Sequence, residues 1–249
     1  MKTGRIGDTL IELASAPSTN KTAAELLDLS KVRHGAVILA HEQTAGVGQR
    51  GRSWSSSPGL DLTFSVVVQP DGLRAAGQFV LAKATALAVS DVVAEAVPGE
   101  VRVKWPNDVL VGRAKVAGIL IQAEVMGELV RDAIVGIGLN VNSVGFPAEL
   151  AATSLLLAGG RMHDRMALLE RLCRCLDHRL HQMAAAPAAL DAAYLERLWM
   201  RGRWAPMELD GIPVELRPMD VDEAGRLIVE HVDGRVQALG LDRLRFAAR

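Results

Sequence analysis

A glycine-rich stretch with two arginines is the first part of the sequence that could do chemistry. Residues 46–54 read GVGQRGRSW, and the first six letters fit the pattern G-x-G-x-x-G. Glycines let the backbone approach a ligand closely and turn successive N–H groups toward an anion. Arg50 and Arg52 add positive charge that suits a carboxylate or a phosphate, and Trp54 could cover a flat ring or an aliphatic chain. The stretch predicts an anion-binding loop, and a solvated surface loop is the alternative.

A dinucleotide site is a second interpretation of the same glycines. Such a site needs a strand before the motif and a helix after it, because the pyrophosphate rests on the helix N-terminus. The strand is present as AVILAHEQ at 36–43, but SWSSSPGLDLTF at 53–64 predicts a turn and then another strand. The sequence therefore argues against a dinucleotide fold.

Charged and polar side chains recur where other apolar strands begin or end. KWPNDV at 104–109 contains Lys104, Asn107 and Asp108, and Lys115 opens the strand KVAGIL. Asn107 could reach a phosphate, and Asp108 could hold a magnesium ion or pair with a lysine. Lys115 could be a mobile charge for a phosphate, or its stem could simply lie along apolar surface. Taken alone, KWPNDV also fits a turn closed by a salt bridge.

Bare backbone on one face of a strand is a third signal. Period-two alternation along 133–139 puts apolar side chains on one face and Gly136, Gly138 and Asn140 on the other. Gly118 likewise leaves the backbone without a side chain on the preceding strand. One hypothesis is a flat apolar ligand that lies across this trough with Asn140 at its end. The other is a helix packed on the glycines.

A short polar run, STN at 18–20, precedes a helical stretch. Ser18 or Thr19 is typical of a helix N-cap, although their hydroxyls could equally bond a small polar ring. A Ser/His/Asp triad, a zinc-ligand spacing and a Walker loop are not evident in the sequence.

These motifs must be positioned by strands and helices in mixed order. Hydrophobic periodicity predicts strands near 9–14, 36–43, 60–68 and 101–105, a hairpin of 114–125 with 128–141, and helices after residue 18 and near 77–97, 164–183 and 187–200. After RGRW at 201–204, short strands separated by DG and DEAG turns indicate a small barrel. We expect an α+β fold with a mixed or antiparallel sheet flanked by helices over 1–202, and a small β-barrel over 203–249.

Composition narrows the classes of function. The net charge of −1 over 249 residues gives no overall field that would draw the chain onto nucleic acid or anionic lipid. The apolar segment 79–97 carries three charged residues, which favours a core helix over a membrane span. Cys173 and Cys175 cannot bridge within one helix, and no secretory signal is evident, so we expect a reducing, cytoplasmic location.

Five motifs together resemble one enzyme family. STN, EQTAGVGQRGRSW, KWPNDV, KVAGIL and VGIGLNVN occur in the order and spacing of biotin–protein ligases. The resemblance covers nearly the whole chain and implies a class II aminoacyl-tRNA-synthetase-like catalytic domain followed by an SH3-like C-terminal domain. The chain resembles the monofunctional kind, which has no helix-turn-helix domain for binding DNA.

The resemblance implies ATP-dependent biotinylation. Biotin and ATP with Mg²⁺ would give biotinyl-5′-AMP, and a lysine of a biotin carboxyl carrier protein, such as an acetyl-CoA carboxylase subunit, would take the biotinyl group. The enzyme would need neither DNA nor a membrane and would be a monomer or a homodimer. A lipoate–protein ligase-like enzyme and a biotin-binding homologue with impaired catalysis are the alternatives. A nucleic-acid-binding small-barrel protein is opposed by the near-zero net charge.

The implied site residues fall into three groups. The catalytic residues are Lys115, Arg50 and Arg52. The residues at biotin are Ser18, Thr19, Asn20, Gln43, Gly46, Val47, Gly48, Gln49, Lys115, Gly118, Gly136 and Gly138. The residues at ATP or the adenylate are Arg50, Gly51, Arg52, Trp54, Lys104, Asn107, Asp108 and Asn140, with Asp108 also the candidate metal ligand.

The glycine loop departs from the family pattern at two positions. The commonest family loop is GRGRRGR, whereas this chain has Val47 and Gln49 in place of two arginines. If backbone amides make the main contacts there, activity survives. Our hypothesis is retained activity with weaker retention of the adenylate.

Overall fold

A seven-stranded mixed sheet forms the larger part of the computed structural model, which describes residues 4–147 and 149–247. Its strands are β1 Thr9–Leu13, β2 Ala36–Ala40, β3 Leu62–Val68, β4 Val101–Lys104, β5 Asp108–Val111, β6 Ala114–Met126 and β7 Leu129–Leu139. They lie in the order β1-β2-β3-β7-β6-β5-β4, with β1 and β2 parallel and every other neighbouring pair antiparallel. The predicted mixed sheet is confirmed.

Helices cover both faces of this sheet. They are α1 Thr19–Asp28, α2 Phe79–Ala96, α3 Leu155–Gly159, α4 Arg165–Ala185 and α5 Pro187–Arg197. The parallel pairing of β1 with β2 follows from α1, which carries the chain back across the sheet between them. Within residues 4–147 and 149–247, no helix is long and apolar enough to cross a membrane.

The alternation predicted for the central strands decides which face each helix covers. Phe64 on β3 and Ile137 on β7 belong to the large core under α2 and α4. Val67 and Ile134, one position out of phase, belong to a smaller cluster with Ala23 of α1. The polar face of β3 and the glycine face of β7 therefore lie on the α1 side of the sheet.

A five-stranded antiparallel sheet forms the C-terminal part of the chain. Its strands are β8 Ala205–Leu209, β9 Ile212–Val221, β10 Leu227–His231, β11 Val236–Leu239 and β12 Leu244–Phe246. The pairing runs β11-β10-β9-β8-β12, which confirms the predicted second unit of short strands. As described, this sheet is open and has β11 and β12 as its ends, so closure into a barrel is not seen in the pairing.

Short elements are where the sequence-based expectation falls short. A strand was expected near 101–105 and a turn after it, but no strand was predicted at Asp108, which begins β5 and pairs with both β4 and β6. Neither α3 nor β12 was predicted. Each has five residues or fewer, too short for a periodic pattern.

Candidate active site

The start of α1 forms a polar wall at one end of a cleft. Ser18 holds the N-cap position, but its hydroxyl accepts no capping hydrogen bond and lies on the cleft. The N–H of Thr19 donates to Gln43 Oε1 at 2.8 Å, and the Thr19 hydroxyl lies 3.2 Å from the same oxygen. The predicted cap position is confirmed, yet the side chains of Ser18, Thr19 and Gln43 face a ligand space.

Asn20 and a serine that the sequence reading did not single out lie deeper in this wall. Asn20 Nδ2 donates to the carbonyl of Leu120 at 3.2 Å and to Gln122 Oε1 at 3.0 Å. Ser65, on the polar face of β3, lies 2.7 Å from both Thr19 Oγ1 and Asn20 Oδ1. The signal that could have found Ser65 is the alternation of Thr63 and Ser65 with apolar residues, which turns both toward the glycine face.

The floor of the cleft includes three glycines of the two central strands β6 and β7. Gly118 of β6 lies opposite Gly138 of β7, and Gly136 of β7 lies opposite Ser65 of β3. A methyl group added at Gly136 would overlap the side chain of Asn20, and one added at Gly138 would overlap the indole of Trp54. The helix hypothesis is confirmed at Gly136, where α1 packs, whereas the ring on Gly138 belongs to the protein itself, so the ligand hypothesis stays a prediction.

The glycine loop folds back on itself as a tight hairpin. Val47 bridges to Ser53, the N–H of Trp54 donates to the carbonyl of Gly46 at 2.9 Å, and the N–H of Gly48 donates to the carbonyl of Arg52 at 2.6 Å. The expectation that the loop turns successive amides toward an anion is wrong for these amides in this conformation, because the loop itself uses them. A strand, β3, is the next regular element after the loop, as predicted.

The loop arginines stand away from the cleft lining. Arg50, with a φ of 58° in the left-handed region, and Arg52 are both exposed, as is Gly51 between them. Loop residues that do line the cleft are Val47, Gly48, Gln49 and Trp54. The arginines could therefore reach an anion in the cleft only after the loop or their side chains move.

A charged pair closes the other end of the cleft. Lys115 Nζ lies 2.6 Å from Asp108 Oδ1 and 5.3 Å from the centroid of the Trp54 ring. Asn107 is tied to β6, because its Nδ2 donates to the carbonyl of Ile119 at 2.9 Å. Asp108 does pair with a lysine, as one interpretation of it expected, but the lysine is Lys115. The salt bridge expected to close the KWPNDV turn, which would use Lys104, is wrong, because the Lys104 amine lies against Trp199 and Phe246.

Two predicted nucleotide residues are turned elsewhere. Lys104 Nζ lies 5.4 Å from the ring centroids of both Trp199 and Phe246, at the junction with the second sheet. Asn140 is buried and donates from Nδ2 to the carbonyl of Thr153 at 2.9 Å. Neither residue lines the cleft, because side chains at the end of a strand can face either side of its sheet.

The cleft as it stands is nearly filled by the protein itself. Its volume is about 50 Å³, far below the roughly 300–1,000 Å³ that is typical of ligand pockets. The Trp54 indole occupies much of the space over Gly138, and its buried Nε1 has no hydrogen-bond partner. An unpaired buried donor is costly, so this indole position is one that a ligand can displace.

The described residues do not form a metal centre by themselves. Residues 4–147 and 149–247 hold no group of three or more His, Cys, Asp or Glu side chains suited to a metal ion. The carboxylate of Asp108 is already paired with Lys115. Neither Cys173 nor Cys175 lines the cleft, and burial raises the pKa of the Cys173 thiol to about 11.

Known proteins share this fold and are similar to this chain in sequence. The sequence profile of the Biotin/lipoate A/B protein ligase family matches residues 12–140. The biotin--[acetyl-CoA-carboxylase] ligase of Mycobacterium tuberculosis is 38% identical over 205 residues, which cover 81% of this chain and 75% of that protein. The chain therefore belongs to the biotin/lipoate A/B protein ligase family.

Two further comparisons show how much of the chain is similar to known proteins. The bifunctional ligase/repressor BirA of Bacillus subtilis is 36% identical over 184 residues, covering 72% of this chain and 56% of BirA. The biotin protein ligase from Aquifex aeolicus, solved in complex with biotin and ATP, superposes with a TM-score of 0.80 at 26% identity, covering 96% of this chain and 100% of that one. The chain thus spans little more than half the length of BirA and the whole of the Aquifex structure.

Proposed function

We propose that this chain is an ATP-dependent biotin–protein ligase. The biotin carboxylate attacks the α-phosphorus of ATP, pyrophosphate leaves, and biotinyl-5′-AMP results. A lysine amine of a biotin carboxyl carrier protein then attacks the acyl carbon, and AMP leaves. The observation that carries the proposal is a single cleft with a hydrogen-bonding wall at one end, a glycine floor, and the amine of Lys115 at the other end.

The polar wall is the place for the ureido ring. Ser18, Thr19 and Gln43 offer hydroxyl and amide groups at the closed end of the cleft, which suits the N–H and C=O edges of a small cyclic urea. The apolar chain of biotin would run over Gly138 once the indole of Trp54 has moved aside. The carboxylate would then lie near Lys115.

Lys115 and the loop arginines are the groups that act on the reacting atoms. A carboxylate and a triphosphate repel each other, and the Lys115 ammonium offsets that repulsion and stabilises the charge that builds up during attack. Arg50 and Arg52 would add charge when the loop closes over the adenylate. A closed loop also keeps water off the mixed anhydride, which would otherwise hydrolyse.

The same proposal includes a magnesium ion and a cellular compartment. Magnesium usually arrives with nucleotide phosphates and one or two carboxylates, so Asp108 stays the candidate ligand once Lys115 has turned to the substrates. The unbridged cysteines favour a reducing compartment, and we propose that the enzyme acts in the cytoplasm.

A pyrophosphate-release assay tests the proposal. Purified protein, biotin and MgATP should release pyrophosphate, and mass spectrometry should find a biotinyl adduct on an added carrier domain. Lys115→Ala should lower the rate by about 10²–10³-fold while the far-UV circular dichroism stays unchanged. Lys31→Ala, which removes an exposed lysine after α1, is the matched control and should leave the rate unchanged.

Two outcomes would contradict this function. Pyrophosphate release driven by lipoate in place of biotin would assign the chain to the lipoate branch of the family. Tight biotin binding without any release of pyrophosphate would make it a biotin-binding homologue with impaired catalysis.

A separate outcome concerns Lys115 alone. Normal turnover of the Lys115→Ala variant would remove Lys115 from the mechanism.

A further inference from the structure

A buried serine lies directly behind the polar wall of the cleft. Ser65 on β3 is 0% exposed and does not line the cleft, so it cannot touch a ligand there. Its Oγ lies 2.7 Å from Thr19 Oγ1 and 2.7 Å from Asn20 Oδ1. Ser65 pairs with Gly136 in the sheet, and the missing side chain of that glycine leaves the space that Asn20 fills.

The partners of Asn20 decide where the proton of Ser65 points. Asn20 Nδ2 faces the backbone carbonyl of Leu120, which is an acceptor under all conditions, so Asn20 Oδ1 faces Ser65. An amide oxygen accepts and never donates, and a serine hydroxyl has one proton. Ser65 therefore donates to Asn20 Oδ1, and its lone pairs face Thr19.

The hydroxyl of Thr19 is oriented in turn. Ser65 has one proton for two oxygens at 2.7 Å, so once that proton lies on Asn20 Oδ1, Thr19 must donate in the contact between the two hydroxyls. The Thr19 proton then goes to Ser65 Oγ at 2.7 Å in preference to Gln43 Oε1, which lies farther away at 3.2 Å. When the O–H of Thr19 points into the interior, the lone pairs of its oxygen are available to accept a hydrogen bond from the cleft. Thr19 thereby becomes a fixed hydrogen-bond acceptor on the polar wall.

Gln43 completes the pattern with a donor. Its Oε1 accepts the N–H of Thr19 at 2.8 Å, so Nε2 is the donor end of the amide, and Gln43 lines the cleft. Thr19 and Gln43 thus present an acceptor beside a donor. A cyclic urea offers the complementary N–H beside a carbonyl, whereas a dithiolane ring offers neither.

We propose that Ser65 is a positioning residue that makes the cleft selective for a urea-type ring by keeping Thr19 an acceptor. The proposal rests on the biotin ligase function proposed above. Without the Ser65 hydroxyl, Thr19 would turn its proton toward Gln43 or the cleft, and the wall would lose its fixed pattern. A site built to bond a polar ring discriminates strongly because its own groups are left unpaired by the wrong ligand.

Steady-state kinetics of Ser65→Ala test this role. We expect the KM for biotin to rise about tenfold, as for the loss of a hydrogen bond in a buried network, while kcat and the KM for ATP stay within about twofold. Dethiobiotin, which keeps the urea, should show the same rise. Thr85→Val is the control, because Thr85 is an equally buried hydroxyl that bonds only the carbonyl of Leu81 within α2, and its KM values should not change.

A double-mutant cycle separates positioning from a general effect on folding. In a Thr19→Val background, Ser65→Ala should change the KM for biotin by less than about twofold, because its route to the ligand is already gone. A full additional tenfold loss would show that Ser65 acts elsewhere and would overturn the proposal. If Ser65→Ala does not fold, Ser65→Cys, which keeps a weaker donor, should raise the KM to an intermediate value, and an unchanged KM would overturn the proposal equally.

The wild-type protein distinguishes the two proposals. If it releases no pyrophosphate with biotin and MgATP, the biotin ligase function fails and the Ser65 proposal fails with it. If the wild type is active and Ser65→Ala keeps its KM for biotin within twofold, only the role of Ser65 is wrong.

Discussion

Individual side chains at the two ends of the cleft define what it can bind. At one end, hydroxyl and amide groups of Thr19 and Gln43 are fixed by buried neighbours. At the other, the Lys115 ammonium is held by Asp108 and lies against the ring of Trp54. A long molecule with a neutral polar head and an anionic tail matches both ends, which is the chemistry of biotin.

The residue that replaces a family arginine in the loop gives a prediction about the intermediate. Gln49 lines the cleft, and its uncharged amide holds a phosphate less strongly than a guanidinium would. Gln49→Arg should slow dissociation of biotinyl-5′-AMP about tenfold, which corresponds to about 1.4 kcal/mol. A filter-binding or stopped-flow measurement of the adenylate off-rate checks this.

A neutral side chain of similar length provides the control for that change. Biotinyl-5′-AMP should dissociate from the Gln49→Met variant at least as fast as from the wild type, because methionine adds no charge. Equal off-rates for wild type and Gln49→Arg would end the idea that this position weakens adenylate retention.

At the scale of elements, the sequence predicts the sheet well because its signals are local. Alternation in β3 and β7 predicted which residues face the core, and Gly127 between β6 and β7 marked the hairpin turn. The glycines of β7 predicted a surface on which something lies close. These features depend on residues that are close together in the sequence, within one strand or one hairpin, so the sequence alone indicates them.

The remaining site features depend on contacts between distant segments. Ser65 became part of the site only because β3 lies beside β7 and beneath α1, a matter of strand order. Lys104 was expected at the nucleotide because the family resemblance includes KWPNDV, and its backbone does pair with Asp108 across β4 and β5, yet its amine lies against Trp199 and Phe246. The position of Trp54 on Gly138 likewise depends on how the loop closes.

At the scale of the whole molecule, polar contacts join the C-terminal sheet and its turns to elements of the larger unit. Lys83 of α2 is 5% exposed, and its Nζ donates to Asp191 of α5 at 2.9 Å and to the carbonyl of Val221 in β9 at 3.1 Å. Trp105, from the KWPNDV motif, donates from Nε1 to the carbonyl of Gly225 at 2.9 Å. The motif that supplies Asn107 to the cleft is thus also held by the turn between β9 and β10.

Removing the lysine tests this junction. Lys83→Met keeps the buried stem but loses both hydrogen bonds, so we expect the free energy of unfolding to fall by about 1–3 kcal/mol, with the KM for biotin unchanged. Urea denaturation measures the loss. Lys21→Met, an exposed lysine on α1, is the control, and a loss below about 0.5 kcal/mol for Lys83→Met would contradict the role assigned to this contact.

A crystal structure of the protein grown with biotin tests the binding mode that we propose for the cleft. We expect the ureido ring to lie against Thr19 and Gln43, the carboxylate to lie within hydrogen-bonding distance of Lys115, and the Trp54 indole to be displaced from Gly138. Biotin bound elsewhere, with the indole still lying on Gly138, would contradict it.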